Sequence, residues 1–137
     1  MKGIRKVLVA MNGSTDVVKH GISLARDERT WVTVLKVVPA YEGDIDLTSI
    51  KNMDDVFLAD GRKAISEVNR LAESEGAVIK TRLETGEIDR TIVEVAEEER
   101  CDLIIMGSQK KSFLARLFGQ NIVEKVIANA PCPVFVV

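Results

Sequence analysis

The sequence predicts an α/β domain built on a doubly wound, five-stranded parallel sheet with helices on both faces. Three observations point there. Short apolar runs rich in β-branched residues alternate with segments of helical period, which implies parallel strands joined by right-handed crossovers. Turns containing glycine follow the first and fourth runs, at Asn12-Gly13-Ser14 and Gly107-Ser108. The chain has 137 residues, 46% of them hydrophobic, which suits one domain over 1–137 with a single core.

The first strand is Lys6 to Met11 (KVLVAM), and the Asn-Gly-Ser turn ends it. Ser14, Thr15 or Asp16 can cap the helix behind it, where Val18, Ile22 and Ala25 recur at helical spacing. Trp31 to Val38 (WVTVLKVV) is the second strand, stopped by Pro39. The connection from 40 to about 54 reads as aperiodic, carries Gly43 and several acids, and has the length of a functional or mobile loop. Asp54 or Asp55 then caps a long helix with Ala64, Val68, Leu71 and Ala72 on one face, closed by Gly76.

Ala77, Ile79, Thr81 and Leu83 alternate with Val78, Lys80, Arg82 and Glu84, the pattern of a half-exposed edge strand. Beyond Gly86 a helix turns Ile88, Ile92, Val95 and Ala96 inward, with Glu97, Glu98 and Glu99 as a solvated outer face. Leu103 to Met106 is the fourth strand. The last helix runs from about Ile122 to Asn129, and the fifth strand covers 134–137 (VFVV).

Composition narrows the function classes. A net charge of −2 lacks the basic face of a nucleic-acid binder. Apolar runs of this shortness cannot span a membrane. The start MKGIRKVLVAMNGS has neither the apolar stretch nor the cleavage site of a signal peptide, so the chain reads as cytoplasmic. There is no GxxxxGK[ST] loop, no GxGxxG and no serine-centred nucleophile elbow.

The single histidine, His20, falls mid-helix beside Lys19 as a surface residue. Asp44, Asp46, Asp54 and Asp55 lie in the long connection without a partner pattern, and no His, Cys, Asp and Glu cluster has metal-ligand spacing. Cys101 and Cys132 precede strands four and five at one edge of the sheet, within reach of a bridge, although two reduced thiols suit a cytosolic chain better. Nothing in these residues makes an enzyme.

A sheet of this kind takes its ligand at the carboxyl ends of the two strands where the strand order reverses. The loops available there are 11–15 and 107–121. A strand, a glycine turn, a loop and a helix start can together hold a phosphate, because the first helical N–H groups point at the anion. Lys110, with Lys111 and Arg116 nearby, either meets a phosphate as a point charge or belongs to a solvated basic loop. Asn121 stands three residues before Glu124, a capping pair that preserves the helix start with or without a ligand. Asn12 either bonds a nucleoside edge or serves as the turn residue of Asn-Gly.

Over nearly its whole length the chain resembles the universal stress protein (UspA) family. The supporting stretches are KVLVAMNGS, GEIDRTIVEVAEEERCDLIIMGS and VEKVIANAPCPVFVV, and DLIIMGS combined with a terminal APCPVFVV is quite specific. The resemblance implies a sheet in the order 3-2-1-4-5 and dimerisation through the last strand. It also implies one of two branches, the first binding ATP or AMP and the second binding no nucleotide. The binding branch carries a glycine, two residues, a second glycine, nine residues, then Gly-Ser or Gly-Thr.

On this chain Gly107 fills the first position, Lys110 stands at the second, and Gln120-Asn121 occupy the final pair; Asn12 replaces an aspartate at the end of strand one. Glycine serves positive φ or a close phosphate, and lysine at such a φ costs roughly 1–2 kcal/mol. Gln120 places a side chain where phosphate would meet bare backbone. The nucleotide site implied by the resemblance adds Met106, Ser108 and Ile122 to these positions, and Val37, which in the family sits beside adenine.

The expectation is therefore a non-enzymatic, homodimeric stress protein with a degenerate nucleotide site, acting through a protein partner or a weakly held ligand. The alternative is an ATP- or AMP-binding sensor using the 107–122 loop. Val134, Phe135, Val136 and Val137 form an apolar strand at the sheet edge, a template for association, and are the expected dimer contact.

Overall fold

The computed structural model describes residues 5–11, 15–27, 29–39, 47–107 and 122–137. In chain order these form β1 (Lys6–Met11), α1 (Thr15–Ala25), β2 (Trp31–Val38), α2 (Leu47–Ser74), β3 (Lys80–Thr85), α3 (Ile88–Glu98), β4 (Leu103–Met106), α4 (Ile122–Asn129) and β5 (Val134–Val136). All five strands run parallel in the order β3-β2-β1-β4-β5, as the resemblance implies. The central strand is apolar at nearly every position because both of its faces are covered.

Each face of the sheet carries its own core. Val7, Val9, Val32, Val34 and Ile105 pack beneath Val17, Val18 and Ile22 of α1 and Val68 and Ala72 of α2. Leu8, Ala10, Leu35, Ile104 and Met106 pack on the other side against Ile92, Val95 and Ala96 of α3 and Val126 of α4. Leu8, Leu35 and Ile104 are wholly withdrawn from water, and each such side chain stabilises the fold by about 1.5–3 kcal/mol.

Two helices end in the same way on different residues. After α2, Gly76 takes φ 69°, its N–H donates to Glu73 O at 3.1 Å, and the Ala77 N–H reaches back to Ala72 O at 2.9 Å. After α3 the residue in the left-handed conformation is Arg100, at φ 54°, with Arg100 N–H on Glu97 O at 3.2 Å and Cys101 N–H on Ala96 O at 2.9 Å. Both are six-to-one, five-to-two helix closures, which favour glycine at the left-handed position.

Four expectations change. Helix α2 begins at Leu47, not at Asp54 or Asp55, so those two aspartates lie within the helical backbone instead of in a loop or at a cap. Leu47, Ile50, Met53 and Phe57 already recur every three to four residues, a helical period that Gly43 and the surrounding acids masked. Strand β3 starts at Lys80, where it meets Thr33 of β2; Ala77 belongs to the closure of α2 and to the core beneath it. Strand β5 ends at Val136, although the Val137 N–H still donates to Met106 O at 2.9 Å.

The fourth change concerns Glu99. It is not part of a solvated face: its side chain is only 14% exposed and accepts hydrogen bonds from Thr33 Oγ1 at 2.8 Å and Arg82 Nη1 at 2.9 Å. Sitting at the last turn of α3, it swings over the edge of the sheet toward β2 and β3, where these partners lie.

Candidate functional site

Strand order reverses between β1 and β4, since β1 leads outward to β2 and β3 and β4 leads the other way to β5. The last registered pair between the two strands is Ala10 with Met106, so Met11, still paired with Lys36 of β2, and Gly107 follow it side by side. That places the crevice at their carboxyl ends, as a doubly wound sheet requires. Because β4 and β5 are parallel, α4 must run back across the sheet. Its first residue therefore lies at the crevice end, and the partial positive charge of its N-terminus faces that space.

Four of the predicted site residues fall within the described structure. Met106 is fully buried at the end of β4, Val37 is buried at the end of β2, and Ile122 is buried at the start of α4. All three belong to one core. Gly107 follows Met106, and a Cβ built on it meets no described atom within 4 Å. Neither positive φ nor internal packing among the described residues demands glycine there. Asn12, Ser108, Lys110, Gln120 and Asn121 lie outside the described residues.

Lys36 was not singled out from the sequence, yet it adjoins this site. It pairs with Met11 on one side and Leu83 on the other. Burial pulls its ammonium below the ordinary lysine value, and the Asp60 carboxylate of α2 partly offsets that. The available signal was a lone lysine inside the apolar run WVTVLKVV. Asp60 is a whole element away in sequence, so the pairing itself was not legible.

At the opposite end of the sheet Glu99 is the organising charge. Burial alone raises its carboxyl, but hydrogen bonds from Arg82 and Thr33 and the charge of Lys80 outweigh this and hold it below the usual range. Arg82 also approaches Glu84 and Glu98, each at 3.3 Å. Both cysteines are free thiols. Burial, followed by the nearby Glu99 carboxylate, pushes Cys101 up to about 11, and burial also raises Cys132. His20 is exposed on α1, as its position beside Lys19 suggested. No three His, Cys, Asp or Glu side chains among the described residues are grouped to hold a metal ion, and no described helix is long and apolar enough to cross a membrane.

The parallel 3-2-1-4-5 sheet, helices on both faces and a switch-point crevice define a class of doubly wound α/β domain. Within it, residues 3–137 match the model of the universal stress protein family. A universal stress protein of Methanocaldococcus jannaschii is 33% identical, covering 97% of this chain and 81% of its own. This chain belongs to the universal stress protein family.

Solved structures agree on the fold. UspA from Lactobacillus plantarum superposes with a TM-score of 0.83 at 21% identity, over 100% of this chain and 99% of its own. A universal stress protein solved in complex with cAMP gives 0.70 at 19% identity, over 99% and 98%. An Arabidopsis thaliana family protein with AMP bound gives 0.62 at 18% identity, over 97% and 90%.

Proposed function

We propose that this chain is a cytoplasmic, non-enzymatic stress protein that works as a homodimer paired through β5. Its nucleotide site is degenerate, and it acts through protein partners or a weakly held ligand. The observation that carries the dimer is the contrast between the two edges of the sheet. The β3 edge presents Lys80, Arg82 and Glu84, charges of the kind that discourage strand pairing. The β5 edge has no charge, and Phe135, Val136 and Val137 are 53%, 39% and 39% exposed.

The backbone supports the same reading. Ile104 N–H donates to Pro133 O at 3.0 Å, and Val137 N–H donates to Met106 O. Alternate residues of a parallel ladder face the same neighbour, so the N–H and C=O groups of Val134 and Val136 face the open edge. Antiparallel pairing with a second copy would satisfy them and cover the apolar side chains. Sedimentation velocity at micromolar concentration should give a dimer. Val136→Pro, which removes an outward N–H and leaves the β4 ladder untouched, should give a folded monomer. A wild-type monomer under these conditions would sink the proposal.

The second reading, an ATP or AMP sensor, is favoured by one specific observation: a Cβ at Gly107 would meet no described atom within 4 Å, so nothing described requires a glycine there. The AMP and cAMP complexes of the structural relatives keep that reading in play. Against it stand Lys110, Gln120 and Asn12, which depart from the binding pattern. Calorimetry with ATP–Mg²⁺ and with AMP separates the two. A dissociation constant below about 100 μM, near −5.5 kcal/mol, favours the sensor. Absence of heat at millimolar nucleotide favours the partner-directed role.

A further inference from the structure

The end of the sheet opposite the crevice carries an open groove of about 280 Å³ between the starts of β1, β2 and β3. It exists because β3 begins with Lys80 opposite Thr33, which leaves Trp31 and Val32 of β2 without a strand on that side. Val7, Val32 and Ile79 belong to its apolar lining, and Trp31 and Val78 are the exposed part of it. At 70% and 86% exposure they are the most exposed of the large hydrophobic side chains described. Trp31 is also the chain's only tryptophan. Neither residue belongs to the two cores, so the fold itself makes little use of them.

Charge accompanies this apolar surface. Lys6 is the register partner of Trp31 and Lys80 that of Thr33. Residues paired in this way project to the same face of the sheet, so both lysine side chains rise from the face that carries the indole. Lys80 reaches Glu99 at 3.4 Å with its side chain 62% exposed. Lys6 donates to the Glu99 main-chain oxygen at 3.3 Å, and no described carboxylate lies within ion-pair distance of it. Glu99 lines the groove, but Arg82 and Thr33 already engage its carboxylate. The accessible character of the groove is therefore an aromatic and aliphatic surface with two cations beside it.

We infer that this groove docks an acidic segment of a partner protein, with an apolar side chain seated against Trp31 and Val78 and neighbouring carboxylates facing Lys6 and Lys80. Shape favours a peptide over a free metabolite: cavities for small ligands bury most of the ligand, whereas this one is an open groove at the end of the sheet. Tryptophan is enriched among binding hot spots, and the lysine charges at the rim select an acidic partner. The groove lies on the β3 side of β1, away from the β5 edge, so each copy in a dimer could dock its own segment. The inference rests on the reading that the chain acts through partners, and names the surface and the chemistry.

The test uses a fluorescein-labelled peptide of alternating leucine or phenylalanine and aspartate, with a control peptide carrying lysine in place of aspartate. Peptide anisotropy reports binding, and the emission of Trp31, measured with unlabelled peptide, reports the location. The expected result is saturable binding of the acidic peptide, a blue shift of the indole emission, and weakening as salt rises. Val78→Asp and the Lys6→Gln/Lys80→Gln double variant should each weaken binding at least about tenfold, with unchanged circular dichroism confirming that they fold.

An unshifted indole at millimolar peptide, equal binding of the lysine peptide, or unaltered affinity in the variants would overturn it. Equal affinity for free N-acetyl-leucyl-aspartate would overturn it in favour of a metabolite site. Sedimentation of the same samples reads the dimer independently: a dimer that ignores the peptide removes the docking groove alone, and loss of the dimer in Val78→Asp would make the groove a self-interface instead.

Discussion

The Glu99 carboxylate lies 2.9 Å from the Arg82 guanidinium, tying the last turn of α3 to the edge strand β3. Both side chains are largely withdrawn from solvent, at 14% and 18% exposure, and Thr33 of β2 donates to the same carboxylate. Glu99→Ala would leave a guanidinium and a hydroxyl short of an acceptor, costing about 1–3 kcal/mol. The pH dependence has a definite sign. A carboxylate held below its ordinary value of 4.5 contributes stability above that pH and loses it as pH falls through the lowered value. Urea midpoints measured downward from pH 7 should therefore decline more steeply below about pH 4.5 in the wild type than in Glu99→Gln.

Arg100 occupies a left-handed position that glycine fills after α2. A side chain there costs roughly 1–2 kcal/mol, part of which the greater freedom of glycine in the unfolded chain offsets. Arg100→Gly should stabilise the protein by about 0.5–1 kcal/mol in urea titration. Equal or lower stability would mean that the arginine side chain supplies compensating contacts.

Glycines at two sites should respond differently to alanine. A Cβ at Gly21 would lie 2.5 Å from Val9 Cγ2, a stiff β-branched side chain in the fully buried part of the core. Gly21→Ala gains about 1 kcal/mol of helix propensity, but overpacking costs about 1–3 kcal/mol, so a net loss of up to about 2 kcal/mol is expected. Gly107→Ala meets no described atom and should leave stability within about 0.5 kcal/mol. If nucleotide binds at the crevice, that same substitution should weaken it in calorimetry.

The thiols offer a kinetic check. Raising Cys101 from 9.0 to about 11 lowers its thiolate fraction near pH 8 about a hundredfold, and only the thiolate alkylates. Iodoacetamide in native buffer should modify the half-exposed Cys132 first and leave Cys101 largely intact. Urea should make the two react alike. Rapid native labelling of Cys101 would show that its burial is transient.

The position of the crevice was legible because it follows from chain order: alternation of strand and helix brings the carboxyl ends of β1 and β4, and with them Gly107, to one side of the sheet. Val37, Met106 and Ile122 were implied by the resemblance to the universal stress proteins, not by a pattern of their own. Lys36 beside Asp60 was not legible, since only the packing of α2 over β2 makes them neighbours. Glu99 was misread because three consecutive glutamates on a helix look like solvated residues. The last of them passes the end of the helix and is redirected by the turn at Arg100.

What the sequence by itself determined is the set of elements and the two-sided core. Periods of two and about 3.6, with turns at Gly76 and Gly86, are local consequences of backbone geometry. The tertiary structure alone decided what meets at the amino end. Lys6, Trp31, Val78, Lys80, Arg82 and Glu99 come from four separate stretches of the chain, and their meeting depends on strand register. A shift of one residue would turn Lys6 and Trp31 to opposite faces of the sheet. Register is set by the whole buried core acting at once, which is why the groove and its charges appear only when the sheet is assembled.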